Sequence, residues 1–136
     1  MRPDTWVRAT NAGCGWLRFV LLPLTLVPLW FGDMMLSMMV MMAWMMVPLA
    51  FRKPTSDDAW MTRAAMGIQI WRSHPFDHPA LLLAFLGTVV GLVLGAAAAW
   101  RGVLWLAAGG GVLFVGMQLV MHLWASRLFA SRRERS

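Results

Sequence analysis

PALLLAFLGTVVGLVLGAAAAWRGVLWLAAGGGVLFVGMQLVMHLW, residues 79–124, holds a single charged side chain, Arg101, and divides at Arg101-Gly102 into two apolar blocks. A helix rises about 1.5 Å per residue and the hydrocarbon core of a bilayer is about 30 Å thick, so a span needs about 20 residues. Pro79 to Trp100 and Val103 to Trp124 each meet that length, and nothing in either block alternates apolar with polar as a half-buried strand would. The stretch is a helical hairpin suited to lipid, and it sets the solvent for the rest of the chain.

The remainder agrees. Of 136 residues, 60% are apolar and 13% charged, well under the quarter or so expected of a soluble domain. Two further apolar blocks precede the hairpin, Trp16 to Phe31 and Met34 to Phe51. The first contains Pro23 and Pro28, each of which lacks an N–H and predicts an interrupted helix that takes hydrogen bonds from its neighbours. These two blocks read either as a full transmembrane hairpin turning at Gly32-Asp33 or as a re-entrant pair. The basic start followed by an apolar run reads as a signal anchor, because no small residues stand at cleavage spacing after Trp30-Phe31.

Charge predicts orientation. Eleven of the 12 basic residues precede block one (Arg2, Arg8, Arg18), lie between blocks two and three (Arg52, Lys53, Arg63, Arg72) or follow block four (Arg127, Arg132, Arg133, Arg135). Only Arg101 falls on the other side. Basic residues in short loops are retained in the cytoplasm, which predicts an all-α, polytopic protein of the cytoplasmic (inner) membrane. The expectation is one membrane domain, residues 1–136: a four-helix bundle with both termini inside and helices at about 16–31, 34–51, 79–100 and 103–124.

Residues 52–80, RKPTSDDAWMTRAAMGIQIWRSHPFDHPA, connect the second and third blocks. Thr55 and Asp58 have capping-box spacing, and a helix is expected at about 57–72, ending before His74-Pro75. Trp60, Ala64, Gly67 and Trp71 share one face, opposite Thr62, Gln69 and Arg72. That arrangement predicts an interfacial amphipathic helix on the inner leaflet, anchored in lipid by Trp60 and Trp71.

Gly87, Gly91, Gly95 and Ala99 recur every fourth residue, a small-residue ridge that lets helix backbones approach closely. Ala107, Ala108, Gly109, Gly110, Gly111 and Gly116 are the matching small positions of block four. Packing of block three on block four is the expected use, with homodimerisation second.

MMLSMMVMMAWMM, residues 34–46, devotes eight of thirteen positions to methionine. Met34, Met38, Met41 and Met45 form one helical ridge, and Met35, Met39, Met42 and Met46 form the next. Thioethers are soft ligands for Cu(I), and a copper path would draw on Met38, Met41, Met42 and Met45 with Met117, Met121 and His122 of block four. The alternative is an accommodating packing or docking surface, since methionine is unbranched and polarizable. Block two contains no His or Cys and its one hydroxyl is Ser37, which favours the docking surface.

Other ligand sets are sparse. His74, Asp77 and His78 fall in HPFDH, and His122 lies one turn after Gln118. Imidazole and carboxylate suit Zn, Fe or Cu, and His122 alone suits a haem iron or chlorin metal. Pro75 interrupts the spacing, so solvated turn residues and inter-helix hydrogen bonds explain these positions with fewer assumptions. The single cysteine, Cys14, excludes an internal disulfide or a CxxC pair and reads as a small residue near the membrane surface. The six acids, Asp4, Asp33, Asp57, Asp58, Asp77 and Glu134, lie outside the middle of any span, and no GxSxG, phosphate loop or HExxH occurs. The net charge of +6 is best matched to anionic lipid headgroups, at about 1 kcal/mol per basic residue near the surface, and not to nucleic acid.

WVRATNAGCGWLRFVLLPL, with Trp6, Arg8, Asn11, Arg18, Phe19 and Pro23, resembles the opening of a family of small prokaryotic membrane proteins classed as a domain of unknown function. Pro54, Trp60 and Trp71 resemble that family's central segment, and His122 to Arg127 its last helix. The chain departs from the pattern at Asn11-Ala12, where the family has Asn-Pro, and in the methionine-rich block. The resemblance implies the membrane architecture and no activity.

Contact-forming features outnumber reactive ones, so the expected role is a non-catalytic accessory, assembly or structural subunit. Its partners would be anionic lipid together with another membrane protein or a second copy; the alternative is Cu(I) or other metal handling. A tag fused at the carboxyl end is expected to resist protease added to intact cells and to be cleaved once the membrane is permeabilised. Cleavage before permeabilisation would refute the orientation.

Overall fold

The computed structural model describes residues 7–134; Arg2, Asp4, Trp6 and Arg135 lie outside them. Among the described residues the α-helices are α1 (Ala12–Leu24), α2 (Leu26–Trp30), α3 (Met34–Ala50), α4 (Trp60–Ser73), α5 (Pro79–Trp100) and α6 (Leu104–Arg133), with a 3-10 turn at Pro75–Asp77. No strand occurs among the described residues. Three helical stretches are long and apolar enough to cross a membrane: Ala12–Trp30, Pro79–Trp100 and Leu104–Arg133. At 17 residues α3 is shorter, about 25 Å long.

Local chemistry sets the boundaries. Asn11 caps α1, its side-chain oxygen accepting from the Gly13 amide at 2.9 Å, so this helix begins four residues before the apolar block does. Arg18 therefore sits inside the helix. The interruption implied by Pro23 and Pro28 falls at Thr25, whose hydroxyl donates to the Leu22 carbonyl at 2.6 Å.

Both hairpins turn by the same device. Gly32 and Gly102 have φ of +75° and +68°, the left-handed conformation that favours glycine. Asp33 N–H donates to the Pro28 carbonyl and Val103 N–H to the Ala98 carbonyl, each at 2.9 Å, closing helix ends that would otherwise expose carbonyls to lipid. Asp33 then caps α3 by accepting from the Leu36 amide at 2.8 Å.

The α5–α6 hairpin is a backbone crossing. A methyl group added at Gly110 would lie 2.5 Å from the Gly95 nitrogen, and one at Gly91 would lie 2.5 Å from the Phe114 nitrogen. Gly87 receives the side chain of Met117, and Gly95 also faces Leu26 of α2. Ala99, at the outer end of the ridge, is buried. The first hairpin joins through α1 and α2, whereas α3 packs chiefly on those two helices and occupies the edge of the assembly.

Helix α4 departs most from expectation. It starts at Trp60, with no side-chain hydrogen bond at its cap, so the Thr55–Asp58 capping box does not form. Asp57 instead pairs with Arg133 at 2.8 Å. The face bearing Ala64, Gly67 and Trp71 is buried in protein and not turned to lipid. Gly67 lies against the Ala125 carbonyl of α6, an approach that only a residue without a side chain permits. Thr62, expected on the polar side, is buried too. Trp71 is 6% exposed, donates from Nε1 to the Pro75 carbonyl at 3.0 Å and packs on Phe85, Leu81 and Ala125. Trp60 meets Trp16 and His122. These tryptophans anchor α4 to helices because α6 runs to Arg133, nine residues past its expected end, and supplies the surface on which α4 docks.

The crossings make different glycines unequal. Gly110→Ala and Gly67→Ala are each expected to cost about 1–3 kcal/mol through overpacking. Gly116, which faces open space, is expected to gain about 0.5–1 kcal/mol of helix stability as alanine. Thermal unfolding in detergent, followed by size-exclusion chromatography, ranks the three; equal midpoints would contradict the crossing.

Candidate functional site

Chemistry-bearing side chains converge where α1, α4 and the second half of α6 meet. His122 is 9% exposed and Gln118, one turn earlier, 7%. The His122 Nδ1 lies 2.7 Å from the Gln118 main-chain carbonyl. A carbonyl only accepts, so Nδ1 carries a proton and donates. The imidazole meets Phe19 edge-on at 5.7 Å and Trp60 at 6.4 Å between ring centroids. Trp16 extends the cluster, 5.8 Å from Trp60 and 6.0 Å from Phe19. Beside it, Cys14 and Met61 are buried, with Met61 lying against Gly15. The Gln118 side-chain oxygen is sealed from solvent without a hydrogen-bond partner.

A second polar constellation joins α1 and α2 to α3. Ser37 Oγ donates to the Thr25 carbonyl at 3.0 Å, and Trp44 Nε1 donates to the Arg18 carbonyl at 3.1 Å. The Arg18 guanidinium carbon lies 4.0 Å from the centroid of the same Trp44 ring, a cation–π contact. The inward side of α3 is thus Ser37, Val40, Met41, Trp44, Val47 and Pro48, all buried or half-buried.

The methionines point away. Met34, Met35, Met38, Met39, Met42, Met45 and Met46 are exposed, Met35 by 75%; Met41 alone is half-buried. The methionine ridges therefore do not serve as an internal packing surface: hydrogen bonds from Ser37 and Trp44 hold the other face of α3 inward. The remaining candidate copper ligands lie elsewhere. Met117 sits over Gly87, Met121 packs with Trp71, Leu81 and Ala125, and His122 faces Phe19 and Trp60. The structure does not gather Met38, Met42 and Met45 with them into one site. His74 is exposed at the end of α4 beside Ser73, and His78 leads into α5. Among the described residues no three of His, Cys, Asp and Glu are grouped as a metal site.

A shallow cavity of about 260 Å³ separates α4 from the end of α6, lined by Arg63, Phe129, Ala130, Arg133 and Glu134. The Nε atoms of Arg63 and Arg18 are both sealed without an acceptor. Sequence reading missed the Arg18–Trp44 pair. Its two members stand 26 positions apart on different helices, and the only signal was an arginine within an otherwise apolar opening.

Comparison with protein-family models, with curated proteins and with solved structures finds no match.

Ser37→Ala and Trp44→Phe are each expected to destabilise the protein by about 1 kcal/mol, the ordinary net value of one hydrogen bond. Met38→Leu, on the opposite face of the same helix, is expected to change stability by less than about 0.5 kcal/mol. Denaturation in mild detergent tests the difference, and equal losses at all three positions would contradict the assigned faces.

Proposed function

We propose that the protein is a non-catalytic, multi-pass subunit of the cytoplasmic membrane, an accessory or assembly factor whose α3 methionine face docks on a partner membrane protein. The observation that carries this reading is the direction of α3. Its hydrogen-bonding residues are spent on α1 and α2, while seven methionines in two adjacent ridges remain on the outer surface. Unbranched thioether chains adapt to an irregular apolar partner surface better than branched residues do.

In this reading the four apolar segments form a four-helix bundle with α3 at its rim, and both termini and α4 lie on the cytoplasmic side, as the basic residues favour. The short α3 crosses by local thinning of the bilayer or by tilt of its neighbours. Membership of the small prokaryotic membrane family that the N-terminal pattern resembles is part of the same proposal. A Cu(I) role would have to use the α3 methionines alone.

Photo-crosslinkers placed singly along α3 in native membranes test the docking face. Strong adducts to one protein are expected at positions 38, 42 and 45, with at least about fivefold weaker adducts at 37 and 47. Uniform adducts to lipid around the helix would refute docking. An anaerobic Cu(I) titration that weakens by about tenfold or more after Met→Leu changes on α3 would replace docking with metal handling.

A further inference from the structure

Arg18 is a cation whose requirements the protein does not meet. It lies in the Ala12–Trp30 segment, which is long and apolar enough to cross a membrane. Among the described residues no carboxylate pairs with it and none of its N–H donors meets a protein acceptor; Nε is sealed and unpartnered. Its guanidinium carbon lies 4.0 Å from the centroid of the Trp44 ring. Asp57 is engaged with Arg133, and Asp33 caps α3 at the other end of the first hairpin.

The depth of Arg18 is legible from its neighbour. Phe19 meets His122, which stands eighteen residues after Leu104, about 27 Å along α6. The hydrocarbon core measures about 30 Å, so Arg18 lies near its inner boundary, at the level an arginine reaches when its head extends to lipid phosphate. Arginine is half-buried here, with part of its surface open. The Trp44 ring and its hydrogen bond to the Arg18 carbonyl hold the side chain against one face, leaving the planar guanidinium little freedom to lose on binding.

We propose that Arg18, held on Trp44, binds the phosphodiester oxyanion of one inner-leaflet phospholipid per chain. An oxyanion supplies acceptors to the two terminal Nη groups, which unlike Nε are not sealed, in the bidentate geometry for which the guanidinium is suited. A headgroup with net negative charge is preferred over a zwitterionic one, because among the described residues no carboxylate pairs with Arg18 that could receive an ammonium. The site rests on the membrane reading given above and specifies one lipid contact within it.

Native mass spectrometry of the full chain in detergent tests the site, with phosphatidylglycerol, phosphatidylcholine or inorganic phosphate added in separate arms. The expected result is one phosphatidylglycerol retained, bound about tenfold more tightly than phosphatidylcholine, with inorganic phosphate failing to displace it. Arg18→Gln should remove that preference and Arg18→Lys should weaken it, while Lys53→Gln leaves it unchanged. Retention unaffected by Arg18→Gln overturns the proposal, as does ready displacement by inorganic phosphate. If Arg18→Gln does not fold, wild type and Arg18→Lys decide alone: absence of any phosphatidylglycerol preference in wild type overturns the site. Because the membrane orientation is read from tag protection, that outcome with a protected tag refutes the lipid site and leaves the orientation standing.

Discussion

Two carbonyl oxygens of the first apolar segment, on Arg18 and Thr25, decide which way the methionine-rich helix faces. Pro23 and Pro28 cannot donate to the carbonyls of Phe19 and Leu24 four residues back, so the helix ladder is loosened there. Arg18 and Thr25 each adjoin one of those carbonyls, and each accepts a side-chain bond from α3, from Trp44 and Ser37. In lipid an unpaired polar group is costly, and the Trp44 N–H and Ser37 hydroxyl keep their acceptors only with this face of α3 turned inward. Rotating α3 to bury methionine would break both. The exposed thioether surface thus follows from where the two side-chain donors of α3 find acceptors in the neighbouring segment.

The second hairpin is governed by closeness and not by polarity. Gly91, Gly95 and Gly110 let α5 and α6 meet backbone to backbone, and the same economy recurs where Gly67 of α4 meets Ala125 of α6. These crossings build α6 into the element shared by both halves. Its first part forms the hairpin, its middle carries Gln118 and His122 toward α1 and α4, and its end reaches Asp57 through Arg133. The polar residues of the protein are concentrated along that inner half, where Arg18, Arg63 and His122 lie within a few helical turns of the cytoplasmic boundary of the proposed topology.

The long apolar runs were readable from composition alone, because lipid demands an uninterrupted length of helix. So were both turns, since a glycine beside a charged residue after an apolar run marks a helix end, and so was the ridge of small residues along α5. The site was much less legible. Periodicity placed Trp60 and Trp71 on one face of α4, but a tryptophan face suits lipid and protein equally. The extended α6 made it a protein face. The methionine ridges were equally visible, yet their direction hinged on two hydrogen bonds to residues 12 and 26 positions away.

By itself the amino-acid sequence determined an all-helical chain with lipid-compatible segments, a proline-weakened first helix and the places where the backbone turns. Those properties follow from length, local conformational preference and side-chain volume, which act over a few residues. Tertiary structure alone decided that α4 docks on α6, that methionine faces outward and that Arg18 lies on Trp44. Each of those outcomes depends on which donor finds which acceptor across helices, and no single segment contains both members of the pair.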